Sequence, residues 1–246
     1  MIKIESHGKV ALVRMDHKVT NAIGHEMITA LEEAMREVNE KFLGMVLAGG
    51  SKFFSIGLDL PQLLKLNRAD MTEFWMRFEN LVLDLYTLPM PTVAAIHGHS
   101  PAGGLILALA CDYRLASNER KVLGLNEVKI GLGVPFLAHL ILEQLVGGAS
   151  TREIELEGDF FQPEQAMAIG LLDSLETPQE LEKAAVAKIA PHVALPKKGF
   201  VYSKHNRTNP VVHQFMELRT RRLEAIIDGW FDPEVQTILH EAAKKF

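Results

Sequence analysis

Apolar and polar residues alternate over residues 9–15, which predicts a strand. Residues 45–48 form a short apolar run ahead of Gly49-Gly50 and read as a second, buried one. Between them Met27, Leu31, Ala34, Met35 and Val38 recur at helical spacing, with Glu32, Glu33, Arg36 and Glu37 on the opposite face. Residues 92–96 are uncharged and β-prone, as expected of a strand covered on both sides. Residues 113–116 and 171–175 read as further strands, and residues 105–111 as an apolar, helix-like run. Strands alternating with helices predict an α/β fold. Beyond Pro178 the strand signals stop, and residues 178–189, 211–230 and 233–245 read as helices. Residues 195–209, with Pro196, Lys197, Lys198 and Gly199, read as a linker, which divides the chain into a core over 1–195 and a helical region over 196–246.

Composition narrows the class of partner. A net charge of −5 gives no reason to expect nucleic acid. The single cysteine, Cys111, rules out an intrachain disulfide and fits a reducing compartment. No apolar run reaches the ~18 residues of a membrane span. Neither the start, Met1-Ile2-Lys3-Ile4-Glu5, nor the end, Lys244-Lys245-Phe246, resembles a sorting signal, so a cytoplasmic protein is expected.

Two glycine turns and one carboxylate carry the candidate chemistry. Ser100-Pro101-Ala102-Gly103-Gly104 opens the apolar run and brings bare backbone N–H groups towards a ligand. Phe53-Phe54-Ser55-Ile56-Gly57-Leu58-Asp59 offers a second tight turn. Glu127 sits among Val122, Leu123, Leu125, Val128, Ile130 and Leu132, where partial desolvation raises the pKa of a carboxylate and makes it a base near neutral pH. Two donors for one oxygen plus one base suit chemistry through an enolate.

Other readings of these residues are weaker. No Lys-Ser or Lys-Thr pair follows Gly103-Gly104, so this is no P-loop, and Gly131-x-Gly133 lacks the third glycine of a dinucleotide site. Gly98-His99-Ser100-Pro101-Ala102 approaches a nucleophile elbow, with Asp173 and His192 available to complete a triad. Proline, however, follows the serine where an oxyanion-binding N–H is needed. Asp59 reads as the N-cap of a helix through Leu63 and Leu64, His97 and His99 as turn or core histidines, and Cys111 as a small buried hydrophobe. No H-E-x-x-H occurs and no metal is expected. Arg219, Arg221 and Arg222 read as a solvated helix face.

Taken in order, Thr20-Asn21-Ala22, the residue 54–59 turn, residues 91–104 with Cys111-Asp112, Gly124-Leu125-Asn126-Glu127 and Ala166-x-x-x-Gly170-Leu171-Leu172-Asp173 resemble the crotonase, or enoyl-CoA hydratase/isomerase, superfamily. The resemblance implies a spiral of ββα units followed by a C-terminal helical region that packs in trimer assembly. It implies an oxyanion hole from the N–H groups of Leu58 and Gly103, Glu127 as acid/base, and a coenzyme A groove lined by Asn21, Ala22, Ser55, Ile56, Gly57, Leu58, Asp59, Gly103 and Gly104. Coenzyme A belongs to the acyl-CoA substrate, so no separate cofactor is implied.

Hydratases of the superfamily use two glutamates, and the first falls here at Ile106. Adding water calls for two groups, whereas one carboxylate can move a proton from C2 to C4 of a 3-enoyl thioester. An enoyl-CoA isomerase is therefore expected. The alternatives are a hydratase or another acyl-CoA hydrolase, or a non-catalytic acyl-CoA-binding protein. Leu218, Leu223, Ile226, Ile227, Trp230 and Phe231, then Val235, Ile238, Leu239 and Ala242, give the tail helices apolar faces. These faces either fold back on the chain's own core or, as the resemblance implies, pack across a homotrimer or dimer of trimers.

Overall fold

The structure, a computed structural model, describes residues 1–244; Lys245 and Phe246, and with them the end of the helix expected over 233–245, lie outside the described residues. Its main sheet has six strands: β1 (Ile2–His7), β2 (Val10–Met15), β3 (Gly44–Ala48), β4 (Thr92–Ile96), β6 (Tyr113–Ser117) and β8 (Ser174–Glu176). They lie in the order β1-β2-β3-β4-β6-β8. β1 and β2 form an antiparallel hairpin, and every later pairing is parallel. A second, two-stranded parallel sheet joins β5 (Ser100–Pro101) to β7 (Leu123–Gly124).

Period-two alternation assigns the strand side chains to two layers. Ala11, Val13, Met45, Leu47, Ala94 and Ile96 belong to the main core, which includes α1 (His25–Lys41) and α3 (Arg68–Thr87). Val10, Leu12, Val46, Ala48, Val93 and Ala95 belong to a smaller cluster with Leu181, Ala185 and Ile189 of α7 (Leu181–Val193). Both faces of the central strands are covered, as the uncharged run over 92–96 implies.

Several elements depart from the sequence reading. The strand expected over 171–175 starts at Ser174, because Leu171 and Leu172 belong to a buried turn whose Leu171 carbonyl accepts from Arg114 Nε. α3 was not expected, although Met71, Phe74, Trp75, Phe78, Leu81, Val82 and Leu85 keep helical spacing and Asn67 caps its start. The expected linker is a further correction. Residues 197–209 are the first part of α8 (Lys197–Trp230), a helix of 34 residues. Pro196 stands at its N-cap, where a missing N–H costs little, and Lys204 is buried with its ammonium on Asp112 Oδ2 at 2.9 Å and on the Met90 carbonyl at 3.0 Å. That burial fixes the segment as part of the body. No described helix is long and apolar enough to cross a membrane.

Two further helices and one short turn position the site. α4 (Gly103–Leu109) leaves the second glycine turn, and α2 (Leu60–Leu63) leaves the first with Asp59 Oδ1 accepting from Gln62 N at 3.1 Å, the capping role read from the sequence. Glu127 opens a 3-10 turn that ends at Ile130, with Gly131 in the left-handed region. α9 (Pro233–Ala243) follows α8 and packs over α2 and this turn.

Candidate active site

The two glycine turns meet. A parallel bridge between Ile23 and Leu58 uses the Gly57 carbonyl and the Asp59 N–H and leaves the Leu58 N–H unused. Gly57 has φ of +93°, and a β-carbon there would stand 3.1 Å from the Gly103 nitrogen. Gly103 is the first residue of α4, so its N–H has no intrahelical acceptor. Before it, Ala102 holds φ +47° and ψ −122°, a conformation non-glycine residues seldom adopt. Its N–H donates to the Gly124 carbonyl at 2.8 Å, and its carbonyl accepts from Ile106 N at 3.0 Å, which holds it there. Two neighbouring amides are thus left free for one acceptor.

Glu127 is 7% exposed, and Oε2 has no hydrogen-bond partner. Burial pushes its pKa up to about 7; its own backbone N–H pulls the other way and the charge of Glu155 adds a further push. The carboxyl lines a cavity of about 360 Å³ together with Leu58, Gly103, Ile56, Ala102 and Ile106. Among the described residues lining that cavity, Glu127 alone carries an ionisable side chain. Asn126 adds a polar amide beside Glu127, and the rest of the wall is mostly apolar and comes from scattered elements: Leu60, Trp75 and Phe78, Ile130 and Leu132, Phe160, Trp230 and Ala242. Ile130 and Leu132 were read from the sequence as the apolar surroundings of Glu127, and Trp230 and Ala242 as tail-helix faces, but motif reasoning did not reach Trp75, Phe78 and Phe160, because no local pattern ties α3 to this wall.

The other residues expected at the site support it from beneath. Asn21, with φ +46°, is buried; its Nδ2 donates to the Met15 and Phe54 carbonyls at 3.1 Å, and its Oδ1 accepts from His17 N at 2.8 Å. Ser55 Oγ donates to the Asn21 carbonyl at 2.8 Å and accepts from Gly57 N at 3.1 Å, so these two side chains shape the first turn. A β-carbon at Gly104 would collide with the Ser55 carbonyl, which makes that glycine the contact point of the two turns. Asn21, Ala22, Ser55, Gly57, Asp59 and Gly104 do not line the cavity; Ile56, Leu58, Gly103 and Glu127 do.

The nucleophile-elbow reading finds no geometry. Ser100 Oγ is buried without a partner, Asp173 accepts from the Arg114 backbone and guanidinium, and His192 Nε2 meets Tyr113 Oη at 3.2 Å. Cys111 is buried, and burial pushes its thiol up to about 12. Arg219 corrects the expected solvated face: it pairs with the buried Glu79 at 3.1 Å.

The family model for enoyl-CoA hydratase/isomerase matches residues 5–224. The chain belongs to the enoyl-CoA hydratase/isomerase family. It is 32% identical to human mitochondrial enoyl-CoA delta isomerase 1 over 201 residues, covering 80% of this chain and 66% of the human protein. A putative enoyl-CoA hydratase of Thermus thermophilus is 36% identical over 203 residues, covering 78% of this chain and 79% of the relative. The crystal structure of human mitochondrial delta3-delta2-enoyl-CoA isomerase superposes with a TM-score of 0.95 at 24% identity, covering 99% of this chain and 97% of that one. An enoyl-CoA hydratase from Bacillus halodurans gives 0.88 at 22% identity, covering 98% and 99%. These likenesses establish the crotonase fold, an α/β architecture with C-terminal helices.

Proposed function

We propose that the protein is an enoyl-CoA isomerase that converts 3-enoyl-CoA to 2-enoyl-CoA. The observation that carries this reading is Glu127 as the one ionisable side chain on the cavity wall among the described residues, with Ile106 also on that wall, at the position where the resemblance implies a hydratase's second carboxylate. Glu127 removes a C2 proton, and the electron pair of that bond moves into the thioester as an enolate. The free N–H groups of Leu58 and Gly103 stabilise the negative oxygen. As the carbonyl re-forms, the electrons of the dienolate return through C4, which takes the proton back from Glu127, and the double bond comes to lie between C2 and C3. Oxyanion donors of this kind contribute roughly 3–4 kcal/mol each to lowering a barrier, and a positioned base about 10²–10⁴-fold in rate.

In this reading the residue 55–59 turn with Asn21 and Ala22 shapes the coenzyme A groove, the protein works in the cytoplasm, and it assembles as a trimer or a dimer of trimers. The purified protein should isomerise 3-enoyl-CoA esters and hydrate 2-enoyl-CoA poorly, measured by the conjugated thioester absorbance that the first reaction creates and the second destroys. Glu127→Gln should still bind acyl-CoA and lose at least about a hundredfold in turnover. Rapid hydration by the native protein, or full turnover by the variant, would contradict the assignment.

A further inference from the structure

The side of the cavity formed by α3 and the end of α8 is walled by side chains that are themselves core. Trp75, Phe78 and Trp230 are all nearly inaccessible and belong to the main apolar cluster, so packed protein, not solvent, lies behind them. Trp75 and Phe78 sit one turn apart on α3 with their rings edge to face, centroids 6.2 Å apart, and each blocks the rotation of the other. Trp230 ends α8, where its carbonyl accepts from Gln236 Nε2 of α9 at 2.6 Å.

The two helices that carry this wall are clamped together. Arg219 of α8 donates to buried Glu79 of α3 at 3.1 Å, to the Met76 carbonyl at 3.1 Å and to Asn80 Oδ1 at 2.7 Å. Arg68 and Asp228 form a second tie at 2.6 Å. A wall braced in this way cannot yield to a longer chain without breaking core contacts. The cavity volume of about 360 Å³ is near the lower end of the ~300–1,000 Å³ range of small-ligand sites, and part of it is taken by the reacting carbons beside Glu127.

We infer that the site takes short- and medium-chain acyl thioesters and excludes long-chain ones, with Trp75, Phe78 and Trp230 setting the limit. This rests on the acyl-CoA reading above but not on the isomerase step. Each methylene added within the limit should tighten binding about fourfold, the value of one buried CH₂. The first carbons beyond it should reverse the trend.

The test uses saturated acyl-CoA esters from butyryl to palmitoyl, with Kd measured by calorimetry on the full-length protein, so that no turnover is needed. The native protein should show a binding optimum inside this series and at least about a tenfold loss beyond it. Phe78→Leu and Trp75→Leu, checked for a native thermal transition, should each move the optimum to longer chains. Affinity that rises steadily to palmitoyl-CoA in the native protein would overturn the inference. So would an unmoved optimum in both folded variants. Binding with the expected optimum but no turnover of 3-enoyl-CoA would support the length limit while removing the isomerase reading.

Discussion

At the residue scale, the buried carboxyl of Glu127, proposed above as the base, is costly to the fold. A carboxyl with pKa about 7 in the folded chain and 4.5 in the unfolded one holds its proton more tightly when folded. Between those values stability falls as pH rises, and above pH 7 the full penalty of a buried charge is present. The difference of about 2.5 units corresponds to about 3 kcal/mol. Glu127→Gln should therefore be more stable than the native protein by that order at pH 8, and equal to it near pH 4.5, in urea unfolding at the two pH values. Glu79, also pushed up to about 7 chiefly by burial, is present in both proteins and cancels from the comparison. Activity follows the same group with opposite preference: kcat/KM for 3-enoyl-CoA should fall about tenfold per pH unit below 7, because only the carboxylate accepts the C2 proton. A pH-independent stability difference, or a kcat/KM that is flat from pH 5 to pH 8, would mean that Glu127 is not the group that burial tunes.

At the scale of elements, the contact that fixes the cavity's outer wall is the Arg219–Glu79 pair between α8 and α3. Glu79 is buried and Arg219 only in part, so removing the arginine costs the charged hydrogen bond and leaves the carboxyl to take a proton, at about 1.5–3 kcal/mol, whereas replacing both with apolar groups is far less costly. Arg219→Met should lower unfolding stability by about 2 kcal/mol, and Glu79→Leu combined with Arg219→Met should recover most of it. A double variant no more stable than the single one would show that the pair does not act as a unit. The same pair shows where sequence patterns stop being informative. The central strand over 92–96 was legible to the residue, because a strand buried on both faces has to be uncharged whatever surrounds it. α3 kept a readable apolar stripe and a capping Asn67, yet it lies between motifs, and nothing local announces that Trp75 and Phe78 of that stripe face a ligand cavity. Residues 197–209 looked like a linker because proline, lysine and glycine cluster there; what ties this helical segment to the body is Lys204 reaching Asp112, 92 positions earlier in the chain. The meeting of the two glycine turns was legible because close backbone approach demands glycine at fixed places, while the cavity wall from α3 and α8 was not, because any bulky apolar residue would serve.

At the scale of the whole molecule, the tail helices settle on their own subunit. Leu223, Ile227, Trp230, Val235 and Leu239 are buried within this one chain, and Trp230 and Ala242 line its own cavity. Half of the apolar side chains expected to cross to a neighbouring subunit are thus covered here, while Leu218, Ile226, Phe231, Ile238 and Ala242 keep partial exposure. Val235 of α9 lies against Gly131, close enough that a β-carbon on the glycine would stand 2.9 Å from it, so α9 holds the turn that begins with Glu127. What stays outside is a different surface: Leu156 is 70% exposed, with Phe160 and Val128 beside it in the exposed class. Assembly and ligand binding therefore separate. A chain cut before Pro233 loses the α9 cover over α2 and the Glu127 turn, and should bind acyl-CoA at least about tenfold more weakly, the effect of uncovering roughly two methylenes of apolar surface. By light scattering at micromolar concentration it should keep the full chain's number of subunits, which the proposal above puts at a trimer or a dimer of trimers. If the truncated protein instead became monomeric as its affinity fell, α9 would be holding subunits together as well as closing the site; if the full-length protein were itself an active monomer, the assembly proposal would fail outright.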